Sequence, residues 1–167
     1  RYRMDFEHMR EAVRGCGMFI LCNPHNPGGR VWSPEELEQV AEICAENGTL
    51  VISDEIHADL TLPGRRHTVF ATVSEKARDN SVTYMAASKA FNVPGLASSY
   101  LICQNPALLE KYQNFVNGRE MAEGHVFAYA GLISAYTEPE GEEWLRQALD
   151  YIQENILYLA AELRRRM

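Results

Sequence analysis

The sequence predicts an α/β fold: part of a mostly parallel sheet with helices on both faces, followed by a long C-terminal helix. Two observations predict it. Short apolar runs of strand length alternate with segments whose apolar residues recur at helical spacing, and loops rich in Asn, Pro and Gly separate them. The 167 residues, 46% of them hydrophobic and 23% charged, are enough for one globular domain with a real core.

The first half of the chain predicts a strand–loop–helix–strand unit. Residues 5–14 precede it and have the apolar spacing of a short amphipathic helix. The apolar run 18–22 predicts a buried strand, which ends in a loop over residues 23–30. Residues 33–36, Ser-Pro-Glu-Glu, predict a helix start with a capping box. Residues 50–54 then predict a second strand, and such a unit implies parallel pairing.

The second half predicts two further strands and two helices. Residues 82–85 and 99–103 are apolar runs, and a Pro-Gly turn at 94–95 lies between them. Because their connection is short, this pair could be antiparallel. Asn-Pro at 105–106 predicts the cap of a helix, and residues 124–137 predict another helix.

Residues from Gly141 onward predict one long helix with an apolar seam along its length. The seam consists of Leu145, Leu149, Ile152, Ile156, Leu159 and Leu163. A coiled coil is one interpretation; docking on missing parts of the same protein, or on a partner subunit, is the favoured one. The chain lacks an initiating Met and ends inside a charged helical pattern, so we expect it to be a fragment.

Charge and composition exclude several classes of partner. The net charge of −7 and the pI of about 5.2 give no basic surface for nucleic acid or an anionic membrane. No apolar run approaches the ~20 residues that cross a bilayer. The four cysteines, without a CxxC pair, are expected to be buried, reduced thiols, which favours a cytoplasmic location. A small-molecule site is the remaining expectation.

Three polar residues follow three predicted strands: Asn26, Asp54 and Lys89. The carboxyl ends of parallel strands share one edge of a sheet, where ligands bind, so we expect the three to converge there. A lysine amine forms a Schiff base with an aldehyde cofactor, and a carboxylate keeps a pyridine nitrogen protonated. Such a set suits pyridoxal 5′-phosphate (PLP). Each residue by itself has a simpler explanation. The lysine is then a solvated charge, the aspartate a helix cap or turn residue and the asparagine a turn residue.

Three motifs around these residues strengthen the PLP hypothesis. They are Asn-Pro-His-Asn-Pro-Gly-Gly at 23–29, Ser-Asp-Glu-Ile-His-Ala-Asp-Leu at 53–60 and Ser-Lys-Ala-Phe-Asn-Val-Pro-Gly at 88–95. In order and spacing they resemble the central signatures of the class I/II aminotransferase family of fold-type-I PLP enzymes. The resemblance is nearest to the cystathionine β-lyase (C–S lyase) branch of MalY- and PatB-like proteins, and it covers essentially the whole chain.

The resemblance implies a role for each site residue. Asn26 would donate a hydrogen bond to the cofactor phenolate oxygen, and Asp54 would pair with the pyridine nitrogen. Ile56 would pack on the ring face. Lys89 would carry the cofactor and then move the substrate α-proton, and Ser88 would help to bind phosphate.

The chain departs from the family pattern at three positions. Many aminotransferases have Tyr where this chain has His57. The resemblance implies that His57 helps to bind the cofactor, and a histidine at this position fits the C–S lyase branch. Arg and Ser or Thr, both phosphate ligands, are common where this chain has Ala97 and Ala86. This end of the site is therefore expected to supply few ligands to the cofactor phosphate.

A metal site is a weaker alternative at the second motif. Asp54, His57 and Asp59 carry ligand types that suit iron or zinc, but a further ligand is needed and His67 is the only nearby one. No metal is expected.

The resemblance implies the following function. Residues 1–140 would be part of a PLP-binding large domain, and residues 141–167 a long helix leading toward an absent small domain. The parent protein would be a homodimeric C–S β-lyase that converts cystathionine or cysteine derivatives to pyruvate, ammonia and a thiol. An aminotransferase on the same scaffold is the alternative, and a non-catalytic truncated domain or assembly module is the alternative from another class. The isolated chain is expected to be inactive.

Overall fold

The structure, a computed structural model, describes residues 2–121 and 124–167. Within these residues the chain forms helices and strands in the following order: α1 (Phe6–Ala12), β1 (Met18–Cys22), α2 (Pro34–Glu46), β2 (Leu50–Asp54), α3 (Glu75–Asp79), β3 (Ser81–Met85), α4 (Ala87–Ala90), β4 (Tyr100–Ile102), α5 (Pro106–Asn117), α6 (Val126–Thr137) and α7 (Pro139–Arg166). Short 3₁₀ helices lie at Ala58–Leu60, Phe70–Thr72 and Pro94–Leu96.

The strands form one sheet in the order β1-β2-β3-β4. The first three are parallel, and β4 runs antiparallel to β3. The predicted mostly parallel α/β sheet is therefore confirmed, and so is the antiparallel pair that the short β3–β4 connection favoured.

One face of the sheet packs against α1, α2 and α3. Leu21 of β1 and Val51 of β2 point to this face and join a core with Leu37, Val40 and Ile43 of α2, all of them buried. Each fully buried aliphatic side chain contributes roughly 1.5–3 kcal/mol relative to exposure. This core holds the strand ends, and thus the candidate site, in a fixed arrangement.

The predicted start of α2 is confirmed in detail. The Ser33 hydroxyl accepts from the Glu36 N–H at 3.2 Å, and the Glu36 carboxylate accepts from the Ser33 N–H at 2.8 Å. Arg30 donates to both oxygens of the same carboxylate at 2.7 and 2.8 Å. Because Arg30 lies at the end of the loop that follows β1, the capping box also fastens that loop.

The opposite face of the sheet carries the side chains of Asp54 and Tyr84, which are neighbours in register. Tyr112 of α5 lies against Tyr84; burial, and then Tyr112, raise the pKa of the Tyr84 phenol. At β1 this face is open, since Met18 and Ile20 are 65% and 73% exposed.

The four cysteines are free thiols, but they are not all buried as the sequence led us to expect. Cys44 is buried, and burial raises the pKa of its thiol to about 11. Cys22 and Cys103 are half-buried and Cys16 is exposed. Cys16 lies outside the core because it follows α1 at a turn rather than on an inward-facing position.

The long helix α7 begins at Pro139, two residues before the predicted start, and runs to Arg166. Its apolar seam is uncovered in the outer half of the helix: Ile152, Ile156, Leu159 and Leu163 are 37%, 49%, 57% and 51% exposed. None of the helices in residues 2–121 and 124–167 combines the length and the apolar character that a membrane span needs.

We expect the chain to self-associate through this seam. Two copies would bury several large apolar side chains at roughly 1.5–3 kcal/mol each, which offsets a substantial part of the association entropy. Sedimentation velocity over a micromolar concentration series should show dimers or larger species, and Leu159→Glu should shift them toward the monomer. Ala161→Glu, which adds the same charge at an exposed position on the opposite side of the helix, is the control. A wild-type chain that sediments as a monomer throughout would contradict the expectation.

Candidate functional site

The middle parallel strand places Asp54 at the carboxyl edge of the sheet. In register, Asp54 lies between Cys22, the last residue of β1, and Tyr84 near the end of β3. The three parallel strands therefore end side by side, and the residues that follow them emerge at one edge.

Asn26 lies in the loop that follows β1, four residues beyond Cys22. The loop is closed by His25 and Arg30, which form an isolated antiparallel bridge with an N–H···O distance of 2.7 Å. A Cβ at Gly28 would lie 2.5 Å from His25 Nδ1, so a larger residue there would displace the His25 ring. The Asn26 N–H lies 3.5 Å from Cys22 Sγ, and its side chain is exposed at the loop tip.

The Asp54 side chain is half-buried and has spare capacity to accept hydrogen bonds. Its Oδ1 accepts from the Ile56 N–H at 3.3 Å, and no other donor among residues 2–121 and 124–167 reaches the carboxylate. Ile56 and His57, two and three residues beyond Asp54, are both half-buried. A carboxylate at this position is thus available to a ligand.

Lys89 lies on α4, the single-turn helix directly after β3, four residues beyond Met85. Its side chain is exposed and forms no ion pair with any described residue. Ala86 at the N-cap cannot supply a side-chain cap, and Ser88, half-buried, accepts from Val93 N–H only through its backbone carbonyl at 3.1 Å.

The topology therefore brings Asn26, Asp54 and Lys89 to the same edge. Asn26 and Lys89 follow the strands on either side of Asp54, each by the same number of residues. Among the described residues, none of the three hydrogen-bonds to another. The amine of Lys89, the carboxylate of Asp54 and the amide of Asn26 thus follow strands that end at one edge of the sheet. All three groups are free of hydrogen bonds to one another and can bind a ligand.

Asn23 is a buried residue whose role the sequence did not reveal beyond its place in the loop motif. Its side chain donates to the Thr68 carbonyl at 3.1 Å and accepts from the Trp32 N–H at 3.3 Å. Its own N–H donates to the Asp54 carbonyl at 3.0 Å. It is fully buried and ties the loop after β1 to the chain beyond β2.

Glu55 is the second residue that sequence reasoning missed. It is fully buried, and its carboxylate contacts His67 with an Nε2–Oε2 distance of 2.5 Å. We call these two residues the Glu55–His67 pair. A charged residue directly after Asp54 gave no signal of burial, because strand-end acids are ordinarily solvated.

The metal alternative finds no geometric support. Within the described residues there is no group of three or more His, Cys, Asp or Glu side chains that could hold a metal ion. Asp59 instead accepts from the Tyr136 hydroxyl at 2.6 Å, and His67 contacts Glu55. Burial, and then the hydrogen bond to Asp59, raise the pKa of Tyr136.

A cavity of about 880 Å³ lies between the loop after β1 and residues 60–68, and Ile156 of α7 also lines it. Arg30, Arg65 and Arg66 are among its lining residues. Asn26, Asp54 and Lys89 do not line it, so the strand-end edge and this cavity are separate features.

Comparison with known proteins gives the family context. The family model described as Aminotransferase class I and II matches residues 1–166. Cystathionine beta-lyase PatB of Bacillus subtilis (strain 168) is 39% identical over 168 residues, which cover 97% of this chain and 43% of that protein. The chain thus spans about two fifths of the length of this relative.

Solved structures agree with the observed fold. The PLP-bound C–S lyase from Staphylococcus hominis superposes with a TM-score of 0.87 and 37% identity, covering 98% of this chain and 40% of that one. N-Succinyldiaminopimelate aminotransferase from Mycobacterium tuberculosis gives a TM-score of 0.80 and 26% identity, covering 97% of this chain and 41% of that one. A lyase and an aminotransferase therefore share this architecture.

Proposed function

The chain belongs to the aminotransferase class I and II family, and on that premise we propose that the strand-end edge of its sheet binds pyridoxal 5′-phosphate. The observation that carries the proposal is the open Asp54 carboxylate on the middle strand, flanked by residues that present the Asn26 amide and the Lys89 amine. The donor set fits a pyridine aldehyde: an amine for the aldehyde carbon, an anion for the ring nitrogen and a donor for the phenolate.

Each residue then has a distinct task. Lys89 would hold the cofactor covalently and, when substrate replaces it, use its freed amine to take the substrate α-proton. Asp54 would keep the ring nitrogen protonated, and Asn26 would donate to the phenolate oxygen. When bound, the cofactor supplies an electron sink for the charge left by α-proton removal.

The residues next to Asp54 and Lys89 would shape the site. Half-buried Ile56 offers an apolar surface for the ring face, and His57 follows it at the start of the 3₁₀ turn. Ser88 is the proposed phosphate contact. Ala86 and Ala97 lack polar side chains, so we propose that most phosphate ligands come from outside these residues.

We propose that the complete protein is a C–S β-lyase, which eliminates a thiol from cystathionine or a cysteine derivative and releases pyruvate and ammonia. The curated relative named as a cystathionine beta-lyase supports this reaction. An aminotransferase is the second candidate, which the structural likeness to an aminotransferase favours. Both reactions use the same Lys89 proton transfer and differ in whether a β-substituent leaves.

We also propose the wider organisation implied by the family. Residues 1–140 would belong to the PLP-binding large domain, and the helix from 141 would lead toward a small domain. A cytoplasmic homodimer is proposed, supported by the free thiols and by the exposed apolar seam of α7. A non-catalytic assembly module remains the competing function for the chain by itself.

The test is made on the complete polypeptide that carries this sequence. Added PLP should produce a visible absorbance band that borohydride reduction removes, leaving one cofactor mass on the chain. In a separate assay of the unreduced protein, cystathionine should yield pyruvate without any 2-oxo acid acceptor. An aminotransferase requires the acceptor. Absence of a reducible band would overturn the cofactor proposal, and acceptor-dependent turnover alone would replace the lyase by the aminotransferase.

A further inference from the structure

The Glu55 carboxylate is buried at the end of β2, on the side of the sheet away from Asp54. Its Oε1 accepts from the Ser53 hydroxyl at 2.8 Å and from the Phe70 N–H at 2.9 Å. Its Oε2 contacts His67 Nε2 at 2.5 Å. The Glu55 side chain has no exposed surface, and that of His67 is only 10% exposed.

The surroundings of Glu55 are built for an anion. Ser53 and Phe70 both donate, and an ionised carboxylate accepts only, so the His67 ring completes the set by donating from Nε2. A neutral amide of the same shape would turn its NH₂ group toward one of these donors. Since burying a carboxylate without matched partners is costly, these contacts explain how an acid is tolerated in the core.

The pair fastens a segment whose two ends are far apart in sequence. Residues 56–70 leave the end of β2, pass through the 3₁₀ turn Ala58–Leu60 and return at His67 and Phe70. Glu55 sits at the departure point and binds the returning end. Asn23 holds the same returning end through the Thr68 carbonyl.

The position of Glu55 also shows on which face of the sheet its neighbour Asp54 lies. Side chains alternate along a strand, and the Ser53–Glu55 hydrogen bond shows that these two lie on the buried face. Asp54 between them must therefore point to the opposite face, where its carboxylate is available. The Glu55 N–H donates to the Tyr84 carbonyl at 2.9 Å, which extends the β2–β3 pairing beyond Asp54.

We propose that the Glu55–His67 pair is a positioning device for the candidate cofactor site: it locks the backbone at 54–57 and so fixes the direction of Asp54 and the places of Ile56 and His57. This role rests on the proposed function. Glu55 and His67 act through these neighbours and do not themselves contact the cofactor.

The first arm of the test measures the segment without cofactor. Glu55→Gln should raise amide hydrogen exchange locally, in peptides covering 54–57 and 67–70, by about tenfold to a hundredfold, because a buried charged hydrogen-bond set is broken. Peptides from α2 should keep wild-type exchange. Glu38→Gln, an exposed acid on α2, is the matched control and should change neither.

The second arm measures PLP binding to the complete polypeptide by absorbance. Glu55→Gln should raise the Kd for PLP by about tenfold or more. It should also shift the pH at which the cofactor absorbance band changes, because Asp54 would no longer be held against the ring nitrogen. His67→Leu should do the same, and His67→Gln, which keeps a donor for Glu55, should restore part of the affinity. This second pair also decides the matter if Glu55→Gln fails to fold.

The outcomes separate the two proposals. Uniformly faster exchange with unchanged PLP affinity and band pH in the folded molecules would show a merely structural pair and overturn the positioning role. Unchanged exchange, or equal effects of His67→Leu and His67→Gln, would overturn it too. A wild-type protein without a borohydride-reducible band overturns the proposed function itself, and with it the role of the pair.

Discussion

Lys89→Ala is expected to abolish covalent attachment of PLP and to reduce turnover of the complete protein by many orders of magnitude. The amine would serve both as the cofactor anchor and as the base that moves the α-proton, so one substitution removes two functions together. The fold should survive, because Lys89 is exposed and its side chain contacts no described carboxylate.

Within this sequence the lysines are Lys76, Lys89 and Lys111, so peptide mapping of the complete protein can compare Lys89 directly with the other two. Reduction with borohydride followed by peptide mapping should place the cofactor mass on the peptide that contains Lys89, and on neither Lys76 nor Lys111. Lys111→Ala, an exposed position on α5, is the control and should retain the label and the activity. Lys76 is a poorer control because it pairs with Glu42 at 2.5 Å.

Two results would contradict the assignment. Label on Lys76 or Lys111 in the wild-type protein would show that the attachment point is misplaced. Turnover of Lys89→Ala within about tenfold of wild type would show that the amine is not the acting base.

Much of the fold could be predicted because its signals are local. The capping box at Ser33 and Glu36 depends on residues three apart in sequence, and the structure confirms it. The four apolar runs predicted the four strands, and the short connection before β4 predicted its antiparallel direction. Bounds moved by one to a few residues where flanking turns compete with the strand or helix, as at α1 and α7.

The buried polar contacts could not be predicted because they join residues that are distant in sequence. Glu55 meets His67 and Phe70 only after the chain turns back, and Asn23 meets Thr68 across 45 positions. Nothing in local periodicity marks a strand-end acid as buried. From the sequence, His67 could be considered only as a metal ligand. In the structure its Nε2 contacts the Glu55 carboxylate.

The candidate site could be predicted in part. Motif order and the parallel sheet were enough to predict that Asn26, Asp54 and Lys89 follow strands that end at one edge, as the topology has them. The one-turn helix α4 under Lys89 was not predicted, since four residues are too few to show helical periodicity. Its short length places Lys89 close to the end of β3.

Asp54→Asn is expected to lower turnover of the complete protein by at least about 100-fold while leaving the fold nearly unchanged. The amide keeps the shape and can still accept from the Ile56 N–H, but it cannot supply the negative charge that holds a pyridine nitrogen protonated. In folding, Asp54 makes one hydrogen bond of 3.3 Å from a half-buried position, so the loss of stability should be about 1 kcal/mol or less.

The measurement compares Asp54→Asn with Asp79→Asn, an exposed acid at the end of α3 that pairs with Arg78. Pyruvate release should fall only for Asp54→Asn, with thermal unfolding close to wild type for both variants. The pH at which the cofactor band changes should also shift only for Asp54→Asn, because the charge facing the ring nitrogen has gone. Near-native turnover of Asp54→Asn would contradict the proposed role of Asp54 at the ring nitrogen. Asp54 would then act only as a turn residue, through the hydrogen bond that it accepts from the Ile56 N–H. Loss of turnover without any change of the cofactor band would instead place its effect on the substrate rather than on the ring.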